Sequence, residues 1–95
     1  MITHVVLVQP KENTTSAEME TLIEQIRALK ELIPAIQSIQ VGKNVGRLTQ
    51  GYTYGLIAQF ASEEKLKEYL THPAHQALAR ELLQQTQIIE FDLAH

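Results

Sequence analysis

Two segments of the sequence read as β-strands that carry apolar side chains on both faces, and they constrain the fold more than any other feature. Residues 2–9 are rich in β-branched side chains and end before a proline. One face of this segment carries Ile2, His4, Val6 and Val8, and the other carries Val5 and Leu7. Residues 52–60 also alternate with apolar residues in both sets. A strand covered on both faces lies inside a sheet, so both segments are predicted to be central strands.

An amphipathic helix is predicted after the first strand. Thr15 and Glu18 have the spacing of a capping box, in which each side chain bonds the other's backbone. Apolar residues then recur every three or four positions, as expected for one buried stripe. They are Met19, Leu22, Ile23, Ile26, Leu29 and Ile33. Pro34 disfavours helical geometry at Ile33 and ends the helix there.

The second helical region is interrupted by a proline. Ser62 is placed to cap a helix with apolar positions at Leu66, Tyr69 and Leu70. His72 and Pro73 interrupt this helix, and Pro73 opens a new helical segment that continues to about Gln84.

Two further strands complete the pattern. Residues 36–41 alternate loosely and precede a Gly-rich turn, which predicts an edge strand. Residues 86–93 form a fourth strand with Ile89, Phe91 and Leu93 on one side. The order strand, helix, strand, strand, helix, strand is that of the ferredoxin-like α+β fold, an antiparallel sheet with its helices on one face. We expect residues 1–95 to form one such domain.

The uncovered face of this sheet predicts a partner subunit. A chain of 95 residues has a thin core, which small proteins supplement with disulfides, metals or another subunit. There is no Cys, so disulfides and thiolate metal sites are excluded. Two helices cover only one face of the sheet, yet the central strands are apolar on both. A second copy of the chain would cover the other face, so we expect a homodimer.

The charge pattern argues against nucleic acid and membrane partners. The chain has 11 acidic and 8 basic residues, a net charge of −3, and no basic cluster of the kind that binds phosphates. The longest apolar run near the start, Val5 to Val8, is too short to span a bilayer or to serve as a signal peptide. We therefore expect a cytoplasmic location.

Polar residues on otherwise apolar surfaces are the candidates for chemistry, because they either satisfy buried hydrogen bonds or contact a ligand. They are His4, Tyr54, Tyr69, His72 and His75. His72 is held extended by the following proline and could cap the next helix. His75 lies one turn into that helix, where the helix dipole favours the neutral imidazole that a general base requires.

A metal site is the competing use of the same histidines. His72 and His75 are three residues apart, and His4 could supply a third ligand. The proline disturbs the helical geometry of the pair, and no Asp or Glu accompanies the histidines in the sequence as a supporting shell. We expect no metal. There is also no Gly-rich phosphate loop, no Cys and no serine in a nucleophile elbow, so no cofactor or covalent nucleophile is expected.

Several short motifs, in order along nearly the whole chain, resemble the stress-responsive A/B barrel domain (Dabb) family. They are His4-Val5-Val6-Leu7, Ile33-Pro34-Ala35, Gly42-Lys43-Asn44, Gly51-Tyr52-Thr53, Phe60-Ala61-Ser62 and the most specific segment, Tyr69-Leu70-Thr71-His72-Pro73-Ala74-His75. The resemblance implies ferredoxin-like protomers that pack sheet to sheet into a dimeric α/β barrel.

The sequence is also similar, over several of these motifs, to a plant polyketide cyclase of the family, which closes a poly-β-keto thioester by aldol condensation without a cofactor. This similarity implies that His75 takes the proton, that Tyr69 orients a carbonyl, and that His4 lines the pocket. We expect Tyr54 and His72 to contact the substrate as well. Where that cyclase carries a further pocket histidine after the Gly-Tyr-Thr motif, this chain has Tyr54, so its substrate does not transfer.

Two functions remain open from the sequence. One is a cofactor-independent cyclase, lyase or isomerase that uses His75 as the base on a small β-dicarbonyl or phenolic metabolite. The other is a non-catalytic, stress-responsive homo-oligomer or small-molecule-binding protein. Both stay open because the fold alone does not determine the function.

Overall fold

A computed structural model describes residues 1–95 and has the ferredoxin-like α+β fold that the sequence predicts. Four strands form one antiparallel sheet, and the second predicted helical region is two helices divided at His72. The elements are β1 (Ile2–Pro10), α1 (Ser16–Leu32), β2 (Ser38–Lys43), β3 (Tyr54–Phe60), α2 (Glu63–Thr71), α3 (Pro73–Gln85) and β4 (Thr86–Ala94). None of the three helices has the length and hydropathy of a membrane-spanning segment.

The strand order is β2-β3-β1-β4, so β1 and β3 are the central strands, as expected from their two apolar faces. The register places His4 between Ala58 of β3 and Asp92 of β4. Two residues further along β1, Val6 lies opposite Glu90. Side chains alternate between the faces of a sheet, so His4, Glu90 and Asp92 all lie on the face that the helices cover.

The helix ends are set by the predicted caps. The Thr15 hydroxyl accepts a hydrogen bond from the backbone N–H of Glu18 at 3.1 Å, and the Glu18 carboxylate accepts one from the backbone N–H of Thr15 at 2.9 Å. Ile33, which precedes Pro34, ends α1 in an extended conformation. Ser62 caps α2 by accepting a hydrogen bond from Lys65 N–H at 3.2 Å. Local signals of this kind determine where each helix begins or ends.

The strand boundaries differ slightly from the prediction. The third strand begins at Tyr54 and not at residue 52, because Gln50 and Gly51 have positive φ angles of 54° and 89° and turn the chain just before it. A Cβ on Gly51 would lie 2.2 Å from the Gln9 amide nitrogen, so the Gln9 side chain would have to move if another residue stood there. The second strand begins at Ser38, because the backbone N–H of Ile36 is still bonded to Ile33 in the turn after α1.

The two faces of the sheet have different surroundings. One face packs against the helices and forms a core of 17 buried hydrophobic residues, so the thin core extends on one side only. On the other face four large apolar side chains remain 43–55% exposed. They are Ile57, Ile89, Phe91 and Leu93. Nothing within the chain covers this face.

Candidate functional site

A cavity of about 200 Å³ lies between the helix layer and the sheet. Its wall is formed by α1, α2 and α3 on one side and by β1, β3 and β4 on the other, and ten of its thirteen lining residues are hydrophobic. Four lining side chains carry polar atoms: His4, His75, Glu90 and Tyr69, the last of which is also one of the ten hydrophobic residues. A mostly apolar cavity with a few convergent polar groups is the usual form of a small-molecule site.

His75 enters the cavity from the first turn of α3. Its ring nitrogen Nδ1 lies 3.2 Å from the backbone carbonyl oxygen of Leu70. A carbonyl can only accept, so Nδ1 carries the proton and Nε2 of the neutral ring keeps its lone pair. Burial lowers the pKa of His75 below its usual 6.5, and it outweighs the opposing effect of the Leu70 hydrogen bond. His75 is therefore a neutral imidazole near pH 7 with one nitrogen free to take a proton.

Tyr69 on α2 connects the two histidines of the cavity. Its ring centroid lies 4.3 Å from that of His75, 5.8 Å from that of His4 and 5.0 Å from that of Phe60. Burial, together with the negative charge of Glu90, raises the pKa of Tyr69 to about 12. The phenol therefore stays protonated at physiological pH and can donate a hydrogen bond.

His4 is buried in β1 and is held by a carboxylate on the neighbouring strand. Its Nδ1 lies 2.5 Å from Oδ1 of Asp92, and only 2% of His4 is exposed. The carboxylate accepts, so Nδ1 is the protonated nitrogen and the ring orientation is fixed. The expectation that no Asp or Glu supports the histidines is wrong for His4. The two residues are 88 positions apart in sequence, and only the pairing of β1 with β4 brings them together.

Two of the predicted site residues do not line the cavity. His72 ends α2 and caps α3, because its Nδ1 accepts a hydrogen bond from the backbone N–H of Ala74 at 3.1 Å. Its structural role is therefore the capping role that the following proline suggested. Tyr54 is buried at the start of β3, where it pairs with Val8 and Lys43. The structure thus brings together His4, Tyr69 and His75, and it does not bring Tyr54 or His72 to them.

Two acidic residues of β4 were not recognised from the sequence. Glu90 lines the cavity and Asp92 bonds His4. The signal was present in the alternation of β4: if Ile89, Phe91 and Leu93 face one side, Glu90 and Asp92 face the other, towards the helices. The residues that Glu90 and Asp92 contact depend on which strand lies beside β4, and the order of strands in the sheet determines that neighbour.

The histidines do not form a metal centre with one another. No group of three His, Cys, Asp or Glu side chains is arranged to hold a metal ion. His72 is engaged in its cap, and Nδ1 of His4 is engaged with Asp92. The arrangement is that of a neutral base, a protonated phenol and an oriented imidazole around an apolar cavity.

Residues 2–93 match the protein family described as the Stress responsive A/B Barrel Domain, or Dabb. The chain belongs to this family. A stress-response A/B barrel domain-containing protein, HS1, from Arabidopsis thaliana is 36% identical to this Dabb protein over 76 residues, which are 78% of this chain and 70% of HS1. Olivetolic acid cyclase from Cannabis sativa is 30% identical over 76 residues, 78% of this chain and 75% of the cyclase. The resemblance inferred from the motifs is confirmed.

Solved structures confirm the fold of this Dabb protein. A crystal structure of an Arabidopsis thaliana protein superposes with a TM-score of 0.90 at 31% identity, and the match covers 100% of this chain and 95% of that one. A protein of unknown function from Thermobifida fusca, described as dimeric and ferredoxin-like, has a TM-score of 0.87 at 21% identity, with 99% and 90% covered. The second likeness concerns the fold alone.

Proposed function

We propose that this Dabb protein is a small enzyme that removes a proton from a carbon atom beside a carbonyl group, without a cofactor. One observation carries the proposal: a neutral imidazole with a free nitrogen and a protonated phenol line the same apolar cavity, with their rings 4.3 Å apart. A base and a hydrogen-bond donor are the two groups that such a step requires.

His75 is the base in the proposed reaction. Nε2 takes a proton from the methylene between two carbonyl groups, and the electron pair of the broken C–H bond becomes an enolate. Tyr69 donates its O–H hydrogen bond to the enolate oxygen, where the negative charge develops. Aldol closure forms a C–C bond between the enolate carbon and a second carbonyl, and the resulting alkoxide recovers the proton from the His75 imidazolium.

The proposed substrate is a small β-dicarbonyl or phenolic metabolite. Aldol cyclisation, isomerisation by return of the proton to another carbon, and lyase cleavage all begin with the same proton transfer. The 30% identity with olivetolic acid cyclase supports the cyclase among these outcomes. His4, oriented by Asp92, is proposed to line the substrate pocket, and its Nε2 is the nitrogen left for a ligand.

The functional unit in this proposal is a homodimer in the cytoplasm. The four apolar side chains on the open face of the sheet support a second copy packed there, since large exposed apolar patches mark association sites. Proteins that share the fold are described as dimeric, which agrees with this arrangement.

Deuterium exchange tests the proposed proton transfer without knowledge of the natural substrate. Ethyl acetoacetate is incubated in D2O, and loss of its methylene signal is followed by NMR. We expect the protein to accelerate exchange above buffer, and His75→Gln to reduce this acceleration by about 100-fold or more, as is typical for loss of a general base. Gln76→Glu, on the exposed side of the same helical turn, is the control. An equal rate in His75→Gln would contradict the proposal, as would no acceleration by the unmodified protein.

A non-catalytic, stress-responsive homo-oligomer that binds small molecules is the second candidate. The packing of the aromatic cluster favours it: Tyr69 touches the rings of His4, Phe60 and His75, and these contacts tie two helices to the sheet whatever else they do. The 36% identity with HS1 supports the same reading. In that case ligands bind the cavity, His75→Gln changes stability, and no exchange of methylene protons is catalysed.

A further inference from the structure

Glu90 is an acidic residue of the cavity wall, and no other side chain forms an ion pair with it. It is exposed, although it lines the cavity, so it stands where the cavity opens towards solvent along the edge strand β4. It carries a formal negative charge at pH 7 and takes part in none of the three ion pairs of the protein. The other carboxylate on this face, Asp92, is already occupied by His4.

No basic side chain lines the cavity with it. The wall contains His4 and His75 but neither Lys nor Arg. A carboxylate on the ligand would thus meet the Glu90 charge with no cation to offset it, in a wall that is otherwise apolar. A like charge at a partly desolvated site disfavours binding, and an opposite charge favours it.

Glu90 is also close enough to act on the groups proposed for the reaction. Its charge is the second cause, after burial, of the raised pKa of Tyr69. For His75 burial lowers the pKa, and the Glu90 charge opposes that effect. The electrostatic influence of Glu90 therefore extends over the same cavity that holds the base and the phenol.

We propose that Glu90 selects the ligand by charge: the cavity takes a small, mainly apolar molecule with an ammonium group at the end nearest β4, and it discriminates against carboxylates. This inference rests on the proposed function, because it assigns a substrate class to the same cavity. The apolar body of the ligand lies against the hydrophobic wall, its reacting end lies at His75 and Tyr69, and its ammonium group donates to the Glu90 carboxylate.

Three phenols of similar size test the selection. Tyramine is a cation, 4-ethylphenol is neutral and 4-hydroxyphenylacetate is an anion at pH 7.5, and binding is followed through the ring-proton shifts of His75. We expect Kd to rise from tyramine to 4-ethylphenol to 4-hydroxyphenylacetate, by roughly fivefold at each step, as for an ion pair that is partly exposed. Raising the salt concentration should reduce the differences in Kd between the three phenols.

Variants assign the selection to Glu90. Glu90→Gln should bring the three Kd values within about twofold of one another, and Glu90→Lys should reverse their order. Glu31→Gln, an exposed position on α1, changes the net charge equally and should keep the original order. Far-UV circular dichroism confirms that the variants fold.

The outcomes separate this inference from the proposed function. If 4-ethylphenol binds and shifts the His75 ring but the three phenols bind equally, the role of Glu90 is wrong and the cavity proposal stands. Retention of the order in Glu90→Gln would also overturn that role. If none of the phenols shifts the His75 ring, both the ligand class and the use of this cavity are contradicted.

Discussion

The ring of His75 packs against the ring of Tyr69 with 4.3 Å between centroids, and the two residues belong to different helices that meet at a single capping residue, His72. Tyr69 lies near the end of α2, and His75 lies in the first turn of α3. The break at Pro73 changes the direction of the chain between α2 and α3, so that both side chains reach the same cavity. The proline is thus a cause of the site geometry as well as a helix boundary.

The depressed pKa of His75 predicts how stability depends on pH. The folded state resists protonating His75, so between its folded and unfolded pKa values the unfolded chain binds more protons. The contribution of His75 is fully present above the unfolded pKa of about 6.5 and is lost as the pH falls below it. We expect the free energy of unfolding in urea to decrease from pH 7 to pH 5, and His75→Gln to flatten this decrease. A decrease that is equally steep in the variant would contradict the assignment.

The substitution Tyr69→Phe removes the hydroxyl and keeps the ring, so it tests the role of the hydroxyl alone. The ring contacts with His4, Phe60 and His75 remain, so we expect the free energy of unfolding to change by only about 1 kcal/mol. Without the donor to the enolate, methylene exchange should fall by about 100-fold, as for loss of an oxyanion hydrogen bond. Tyr52→Phe, in the half-buried connection before β3, should leave exchange unchanged. Full exchange activity in Tyr69→Phe would mean that the hydroxyl has no part in the reaction.

The sequence predicted the elements of this site better than their arrangement. The caps at Thr15 and Ser62 and the breaks at Pro34 and Pro73 are local signals, and each marks an observed boundary to within a residue or two. The apolar pattern on both faces of β1 and β3 identified the central strands, because a strand inside a sheet presents mainly apolar side chains to both sides. His75 was expected in the first turn of the helix that Pro73 opens, and it lies there.

The roles of the two acidic residues of β4 could not be predicted from local patterns in the sequence. Asp92 matters because it lies beside His4, and Glu90 matters because it lies beside the cavity. Both depend on strand pairing between the two ends of the chain, and no local pattern encodes that pairing. Conversely, Tyr54 shares a face with the site residues and has a suitable side chain. It lies two positions before Leu56, at the start of β3, and does not line the cavity.

Asp92→Ala leaves a buried donor without its acceptor. The Nδ1–H of His4 bonds Asp92 at 2.5 Å, and His4 itself is only 2% exposed. We expect a loss of about 1–3 kcal/mol in the free energy of unfolding, which is the cost of an unsatisfied buried group. Asp92→Asn keeps an acceptor oxygen and should recover part of the loss. Glu31→Ala, an exposed carboxylate on α1, is the control and should change stability little; an equal effect of Asp92→Ala and this control would contradict the role of the pair.

His72 acts on the stability of α3 through its cap. Its Nδ1 accepts the hydrogen bond of Ala74 N–H, and we expect His72→Ala to reduce the free energy of unfolding by about 1 kcal/mol, as for loss of an N-cap. His72→Asn retains a capping oxygen and should restore stability. If His72→Asn is as stable as the unmodified chain but binds the phenols more weakly, then His72 contacts the ligand, as the sequence analysis expected.

The open face of the sheet predicts the oligomeric state. Val5 on β1 pairs with Ile57 on one side and with Phe91 on the other, so these three side chains form a continuous apolar row across the sheet. Ile57 is 44% exposed and Phe91 is 43% exposed, and a second sheet packed on this row would remove both from water. Light scattering at micromolar concentration should therefore give twice the 10.7 kDa mass of the chain, or a higher multiple.

A charge within this row should prevent the association. Phe91→Asp places a carboxylate where the two sheets would meet, and an unpaired charge buried in an apolar interface costs several kcal/mol. Leu32→Asp is the matched control, because Leu32 is 58% exposed at the end of α1 and does not lie on the sheet. We expect Phe91→Asp to be monomeric and Leu32→Asp to keep the mass of the unmodified protein. A monomeric unmodified chain, or a Phe91→Asp variant of unchanged mass, would show that this face is not the interface.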